Sequence, residues 1–254
     1  MQLRDLVSYL DEYLRVSEIE DDSQNGLQVA GPAEVKKIAF AVDGCLAACE
    51  QAVAWGADLL VVHHGLFWGR PVRLVGPLFR RVHALISGGC GLYGVHLPLD
   101  MHPEVGNNAE LARLLGLQDP QPFGAYHGNQ GIGIGGRFNS PLPLSALIER
   151  LEQATGKPIV RSVSHGAGMV SQVGCISGGA AMMMSQVVEA GYDTFVTGET
   201  AHSFFHDAAE WGLNVIYGGH YATETLGVKA LARHLAALFG SEIETMFLDL
   251  PTGV

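Results

Sequence analysis

The sequence lacks any uncharged apolar run near the ~20 residues that a membrane-spanning helix needs, so no transmembrane segment is expected. It has few cysteines, and Cys45, Cys49, Cys90 and Cys175 form no C-x-x-C pair. They read as small buried residues of a reducing compartment. Basic residues are also scarce: 15 Lys and Arg stand against 26 Asp and Glu, for a formal charge of −11. Non-specific duplex binding needs basic patches that displace counterions, so a nucleic-acid partner is not expected. The N-terminal stripe of Leu3, Leu6, Val7, Leu10 and Leu14 suits a helix, while Arg4, Asp5, Asp11 and Glu12 break up any signal-peptide core. A soluble, cytoplasmic protein is the expectation.

What is present is apolar and rhythmic. With 48% hydrophobic residues among 254, the chain can bury a large core. KKIAFAV (36–42) reads as a strand, 45–55 as a helix and 57–64 as the next strand. Helix 78–88, an extended 91–96 and helix 108–116 follow. Such βαβ alternation predicts a mainly parallel sheet flanked by helices. Residues 118–138, rich in Gly and Pro, read as a crossover between halves. Within them GIGIGGRF resembles a dinucleotide loop only superficially, because no strand-to-helix turn surrounds it. The rhythm then resumes with strand QVGCISGG, helix AAMMMSQVVEAG, strand YDTFVTGE, helix SFFHDAAEWG, strand LNVIYGGH, a long helix from Ala222 and a final strand EIETMFLDL.

The two stretches are related. Residues 38–65 lie on 173–200 without a gap, with identities at Gly44/Gly179, Gln51/Gln186, Val53/Val188, Gly56/Gly191, Asp58/Asp193 and Val61/Val196. LYGVHLPLD (92–100) lies on IYGGHYATE (216–224), and ELARLL (110–115) resembles ALARHL (230–235). The expected architecture is two similar α/β halves related by a pseudo-twofold, residues 1–125 and 126–254, with mixed, mainly parallel sheets.

Both halves end a strand on polar residues, His63 and His64 in one and Gly198 and Glu199 in the other. Ligands gather at such strand ends in open α/β sheets. Each half also carries a strand ending in His-x-x-x-acid: His96 to Asp100, and His220 to Glu224. Imidazole with carboxylate suits Zn, Fe, Mn or Co. A single histidine after an apolar strand is ordinarily a hydrogen-bonded core or surface residue, and His102, His127, His165, His202, His206 and His234 are read that way. His63, His64, Asp100, His220 and Glu224 together exceed one tetrahedral site. Adjacent strand residues diverge, so two divalent ions about 3.5–4 Å apart are expected, with the carboxylates bridging.

The segments SQNGLQVAG (23–31), VVHHGLFWG (61–69), GVHLPLD (94–100) and TGETAHSFFHDAAEWGLNVIYGGHYATE (197–224), with the last helix, resemble the Nif-three-like family of GTP cyclohydrolase I type 2 homologues. The resemblance implies two similar domains around a dinuclear metal site with those same five ligands. It also implies assembly as a toroidal homohexamer. The short 118–138 segment matches the family's compact form.

The expected function is a dinuclear-metal-dependent hydrolase or cyclohydrolase acting on a small anionic, nucleotide-like molecule. Glu199, at the position that duplicates His64, is the candidate proton acceptor, and His96 is a supporting catalytic residue or weaker ligand. The alternative is a non-catalytic metal-binding scaffold or partner-binding ring protein.

Overall fold

The computed structural model describes residues 1–253. In chain order the elements are α1 (Leu3–Tyr13), β1 (Gly26–Val29), β2 (Lys37–Asp43), α2 (Leu46–Trp55), β3 (Leu59–His64), α3 (Gly76–Ser87), β4 (Gly91–Gly94), α4 (Leu97–Asp100) and α5 (Asn107–Leu115). There follow β5 (Gln118–Tyr126), β6 (Asn129–Pro143), α6 (Leu144–Thr155), β7 (Arg161–Ser164), β8 (Met169–Cys175), α7 (Met184–Glu189), β9 (Thr194–Thr197), α8 (Phe205–Glu210), β10 (Asn214–Tyr217), α9 (His220–Phe239) and β11 (Glu244–Phe247). Two compact units emerge: residues 1–99 with 228–250, and residues 100–227 with the tail from 251. These bounds differ from 1–125 and 126–254 for two reasons: α5 packs in the core of the second unit and β5 pairs with β6, while β11 pairs in parallel with β2 and returns the end of the chain to the first unit. Among the described residues no helix is long and apolar enough to cross a membrane.

The first unit holds a five-stranded sheet ordered β1-β4-β3-β2-β11. Every pairing is parallel except β1 with β4. Alternate strand residues, Ala39 and Ala41, Leu60 and Val62, bury one face with Leu92 against Ala48, Cys49 and Ala52 of α2 and Val82 and Leu85 of α3. The small residues of α2 allow that close approach. Cys49, Cys90 and Cys175 are buried as expected, while Cys45 is half-buried; burial pushes Cys49 up to about 11 and Cys90 to about 12.

The second unit holds a six-stranded mixed sheet, β5-β6-β8-β9-β10-β7. Its parallel centre, β8-β9-β10, packs Val173, Cys175, Val196 and Ile216 beneath Leu111 and Leu115 of α5 and Leu147 and Leu151 of α6. The crossover expected at 118–138 is instead a long hairpin, β5 with β6. His127 (φ 49°) and Gly128 (φ 79°) make its two-residue turn. Turns of that kind need positive φ at both positions, and a histidine at the first of them hid the signal. The short antiparallel edge strands β1 and β7 carried no sequence pattern long enough to read. The helix expected from Ala180 opens as a 3-10 turn over Ala181–Met183.

The duplication is written in the hydrogen bonds of each half. Ile38 faces Leu59 and, 135 residues on, Val173 faces Thr194. Asp58 Oδ2 accepts the amides of Lys36 (2.7 Å) and Lys37 (2.9 Å). Asp193 Oδ2 accepts those of Ser171 and Gln172, both at 2.9 Å. Gly56 (φ 79°) and Gly191 (φ 85°) end the matched helices in the left-handed region, where glycine carries no Cβ penalty.

The second match needs a correction of one residue. Val95 donates its amide to Val62 as Gly218 does to Thr197, and α4 starts at Leu97 where α9 starts at His220. The ladder, rather than the repeated Tyr-Gly dipeptide, sets equivalence. His220 therefore occupies the place of Leu97, and Glu224 that of Met101.

The shared carboxylate predicts a shared stability effect. Asp58→Ala and Asp193→Ala should each lower the free energy of unfolding by about 1–3 kcal/mol, the usual cost of orphaning amides held by a charged acceptor. Urea denaturation checks this. An unchanged midpoint in either variant would contradict the equivalence.

Candidate metal-binding groups

In the first unit β3 ends on His63 and His64. His63 is fully buried, and its Nδ1–H donates to Val95 O at 3.0 Å. His64 donates Nδ1–H to Asp43 Oδ1 at 2.8 Å, from the neighbouring strand position. The divergence expected of adjacent strand residues does not occur: the two ring centroids lie 4.7 Å apart. His64 is the last residue of the strand, where the pleat ends, and Asp43 draws its ring back. Gly65 follows because Gln28 lies against its Cα, so that a Cβ would strike the Gln28 amide.

His96 joins them from just beyond β4. Its ring centroid is 5.1 Å from that of His63 and 5.7 Å from that of His64. One ring nitrogen from each of the three histidines lies within 4.8 Å of the others. Its Nδ1–H is shared by the two oxygens of Asp21, at 3.0 and 3.1 Å. Asp21 also accepts the amides of Ser23 and Leu97 and the Asn25 side chain. Burial works to raise its pKa, but the hydrogen bond and charge of His96, aided by Asn25 and Ser23, outweigh burial and hold the carboxyl at about 2. Asp21 is thus a permanent anion behind His96.

In the second unit His220 is the first residue of α9, two positions earlier than the expected start at Ala222. Its Nδ1–H donates to Glu199 Oε2 at 2.8 Å, and Nε2 lies 3.1 Å from Glu224 Oε1 one turn on. The hydrogen bond to Glu224 raises the His220 pKa, burial opposes it, and Glu199 adds to the rise, to about 9. Glu224 is buried and Glu199 about half exposed. Gly178 (φ 64°) lies against the Glu224 carboxylate, so only a residue without Cβ fits there. Asp100 is buried, with Oδ1 accepting from Asn107 Nδ2 (2.8 Å) and Ser177 Oγ (3.1 Å).

Sequence reasoning named the five ligand candidates, His96 and Glu199, but not the groups behind them. Asp21, Asp43, Asn25, Asn107 and Ser177 were missed. They lie 75, 21, 71, 7 and 77 residues from the side chain or backbone they hold. Only the SQNG stretch, already conspicuous, could have pointed to Asn25. The remaining histidines have other surroundings. His102 Nδ1 accepts the amides of Glu104 and Val105, and the His234 ring stacks on Tyr13 with centroids 4.2 Å apart.

The donor set fits a divalent metal. A carbonyl or ionised carboxylate can only accept, so Nδ1 of His63, His64, His96 and His220 carries a proton; Nε2 of His63, His64 and His96 is the nitrogen open to a metal, whereas Nε2 of His220 shares a proton with Glu224 that an ion would displace. Ligating histidines characteristically show that arrangement, their second nitrogen given to a carboxylate or carbonyl.

Comparison with known proteins agrees over the full length. Residues 1–252 match the family model Duf34/NIF3 (NGG1p interacting factor 3). The chain is 45% identical over 252 residues to a GTP cyclohydrolase 1 type 2 homolog of Deinococcus radiodurans, covering 98% of this chain and 94% of that one. It is 43% identical to the homolog of the same name from Pyrococcus abyssi, covering all of both. A crystal structure of TTHA1606 from Thermus thermophilus superposes with a TM-score of 0.90 at 46% identity, again covering all of both chains.

The groups behind the histidines predict a graded loss. Asp43→Ala and Asp21→Ala should each weaken divalent-metal affinity by about 10–100-fold while the fold is kept. Metal titration by calorimetry checks this, with far-ultraviolet circular dichroism as the control for folding. Wild-type affinity in both variants would show that the carboxylates do not orient ligands.

Proposed function

The chain belongs to the Duf34/NIF3 family, and from that premise we propose that it is a dinuclear-metal-dependent hydrolase, or cyclohydrolase-like enzyme, acting on a small anionic, nucleotide-like substrate. The observation that carries the proposal is the common anchoring of four histidines by Nδ1, to Val95 O, Asp43, Asp21 and Glu199. In this reading His63, His64, Asp100, His220 and Glu224 hold two divalent ions, and His96 is a supporting imidazole. When bound, such ions act as Lewis acids and make water nucleophilic at neutral pH.

The side chains have distinct tasks. Asp43 and Asp21 keep His64 and His96 in one tautomer and one orientation. Asn107 and Ser177 occupy one oxygen of Asp100 and fix its carboxylate plane. Glu199 uses Oε2 to hold the proton on His220 Nδ1. Being about half exposed, it can take a second proton at Oε1 from the attacking water and return it to the leaving group. Two divalent cations outweigh their two carboxylate ligands, so the open positions on the ions would favour an anionic group, while Asp43, Asp21 and Glu199 stand behind the imidazoles and away from those positions.

Elemental analysis after metal loading should give two ions per chain, and fewer in Glu224→Ala. A screen of nucleotides, phosphodiesters and cyclic amides with metal-loaded protein should find turnover that His64→Ala abolishes together with metal binding. Glu199→Gln should keep its metal and lose about 10²-fold or more in turnover. Full turnover in Glu199→Gln would move the proton acceptor to another residue, with His96 the next to test. Two bound ions without turnover of any substrate would favour the metal-bearing scaffold.

A further inference from the structure

A cavity of about 460 Å³ opens in the first unit beside the three histidines, on the side of Trp68. Its walls include Phe67, Trp68 and Arg70 from the loop after β3, and Gln24, Leu27 and Gln28 from the segment leading through β1. Trp68 meets His96 edge-on, with ring centroids 4.9 Å apart, and lies 6.2 Å from His64. The cavity therefore adjoins the candidate ligands without containing them.

Its walls are fixed before any ligand arrives. Trp68 Nε1–H donates to Gly65 O at 2.9 Å, which sets the plane of the indole. The loop is stapled to the preceding segment by a Ser23–Trp68 bridge and by the amides of Gln24 to Phe67 O and Gly69 to Asp22 O. Gln24 Nε2 donates to Gly69 O, and Gln28 donates to Gln24 O while its own Oε1 accepts the Leu66 amide. Those amides thus brace the wall. The side chains left to meet a ligand are the indole, the apolar Leu27, Phe67, Pro71 and Val72, and the Arg70 guanidinium. Arg70 is exposed and, among the described residues, pairs with no carboxylate.

We propose that this cavity is a binding subsite for a flat heteroaromatic ring linked to a phosphate or similar anion. The ring packs on Trp68 and the anion is met by Arg70. An immobilised indole offers a stacking surface at little entropic cost. A guanidinium pairs with phosphate through parallel N–H groups. The volume lies within the range of small-ligand pockets. The subsite deepens the proposed function by naming the part of the substrate that is recognised beside the metal-binding residues, yet ring and anion binding need no metal.

The test uses metal-free full-length protein carrying Trp55→Phe and Trp211→Phe, so that Trp68 is the one remaining tryptophan. Guanosine monophosphate should quench its emission saturably, with excitation at 295 nm. Guanosine and ribose 5-phosphate should each bind at least about 10-fold more weakly, the loss of one charged or stacking contact of about 1.4 kcal/mol. Arg70→Gln should weaken the nucleotide to the level of guanosine. In the otherwise unaltered protein, equilibrium dialysis should show Trp68→Leu losing binding and Trp68→Phe keeping most of it. Absence of saturable quenching, or nucleotide binding unchanged by Arg70→Gln and Trp68→Leu, overturns the subsite. Metal titration of Arg70→Gln separates the two readings. Nucleotide binding in a protein that takes up no metal supports the subsite and removes the hydrolase; normal metal uptake without nucleotide binding in the parent does the reverse.

Discussion

Four imidazoles that give away Nδ1–H constrain the chemistry of this protein more than any other contact. Each acceptor fixes a ring plane and a proton on Nδ1, and so turns Nε2 toward any metal or, in His220, toward Glu224. For His63 the acceptor is a backbone carbonyl, Val95 O, so its orientation follows directly from the β3–β4 pairing. For His64 and His96 the acceptors are the carboxylates of Asp43 and Asp21. The parallel sheet supplies the positions: strand ends line up at one edge, where backbone pairing stops and side chains can converge.

The duplicated frame explains why the two halves differ where they do. Asp58 and Asp193, and Gly56 and Gly191, perform the same tasks in each copy and are identical. The residues after the matched strands are not. A Cβ at Gly198 would come within 2.7 Å of Gly178 O and 2.8 Å of His220 Cα. The second half therefore cannot carry a counterpart of His63, and it offers Glu199 behind His220 in place of a second imidazole. One frame has thus been specialised into a histidine-rich half and a carboxylate-rich half.

Local patterns revealed the central strands, the longer helices and the ligand candidates, because each is set by periodicity or by chemistry-bearing residues at strand ends, whereas the short α4 went unread. What they did not reveal depends on distant partners. β11 looks like any final strand until it pairs with β2. The β5–β6 hairpin turns on His127–Gly128 rather than a familiar Asn-Gly. The slip that places His220 opposite Leu97 is visible only in the hydrogen-bond ladder. Asp21 escaped notice although it stands just before the conspicuous SQNG, because its meaning comes from His96, 75 residues on.

The central claim is that these histidines ligate through Nε2 while Nδ1 keeps its proton. Two-bond ¹H–¹⁵N correlation spectra of histidine-labelled protein, recorded during titration with Zn²⁺, address it directly. The account predicts that His63, His64 and His220 show Nδ1–H resonances throughout and that their Nε2 resonances move on metal addition. Spectra in which Nε2 carries the proton in the metal-loaded protein, or in which Zn²⁺ shifts neither nitrogen, would contradict it.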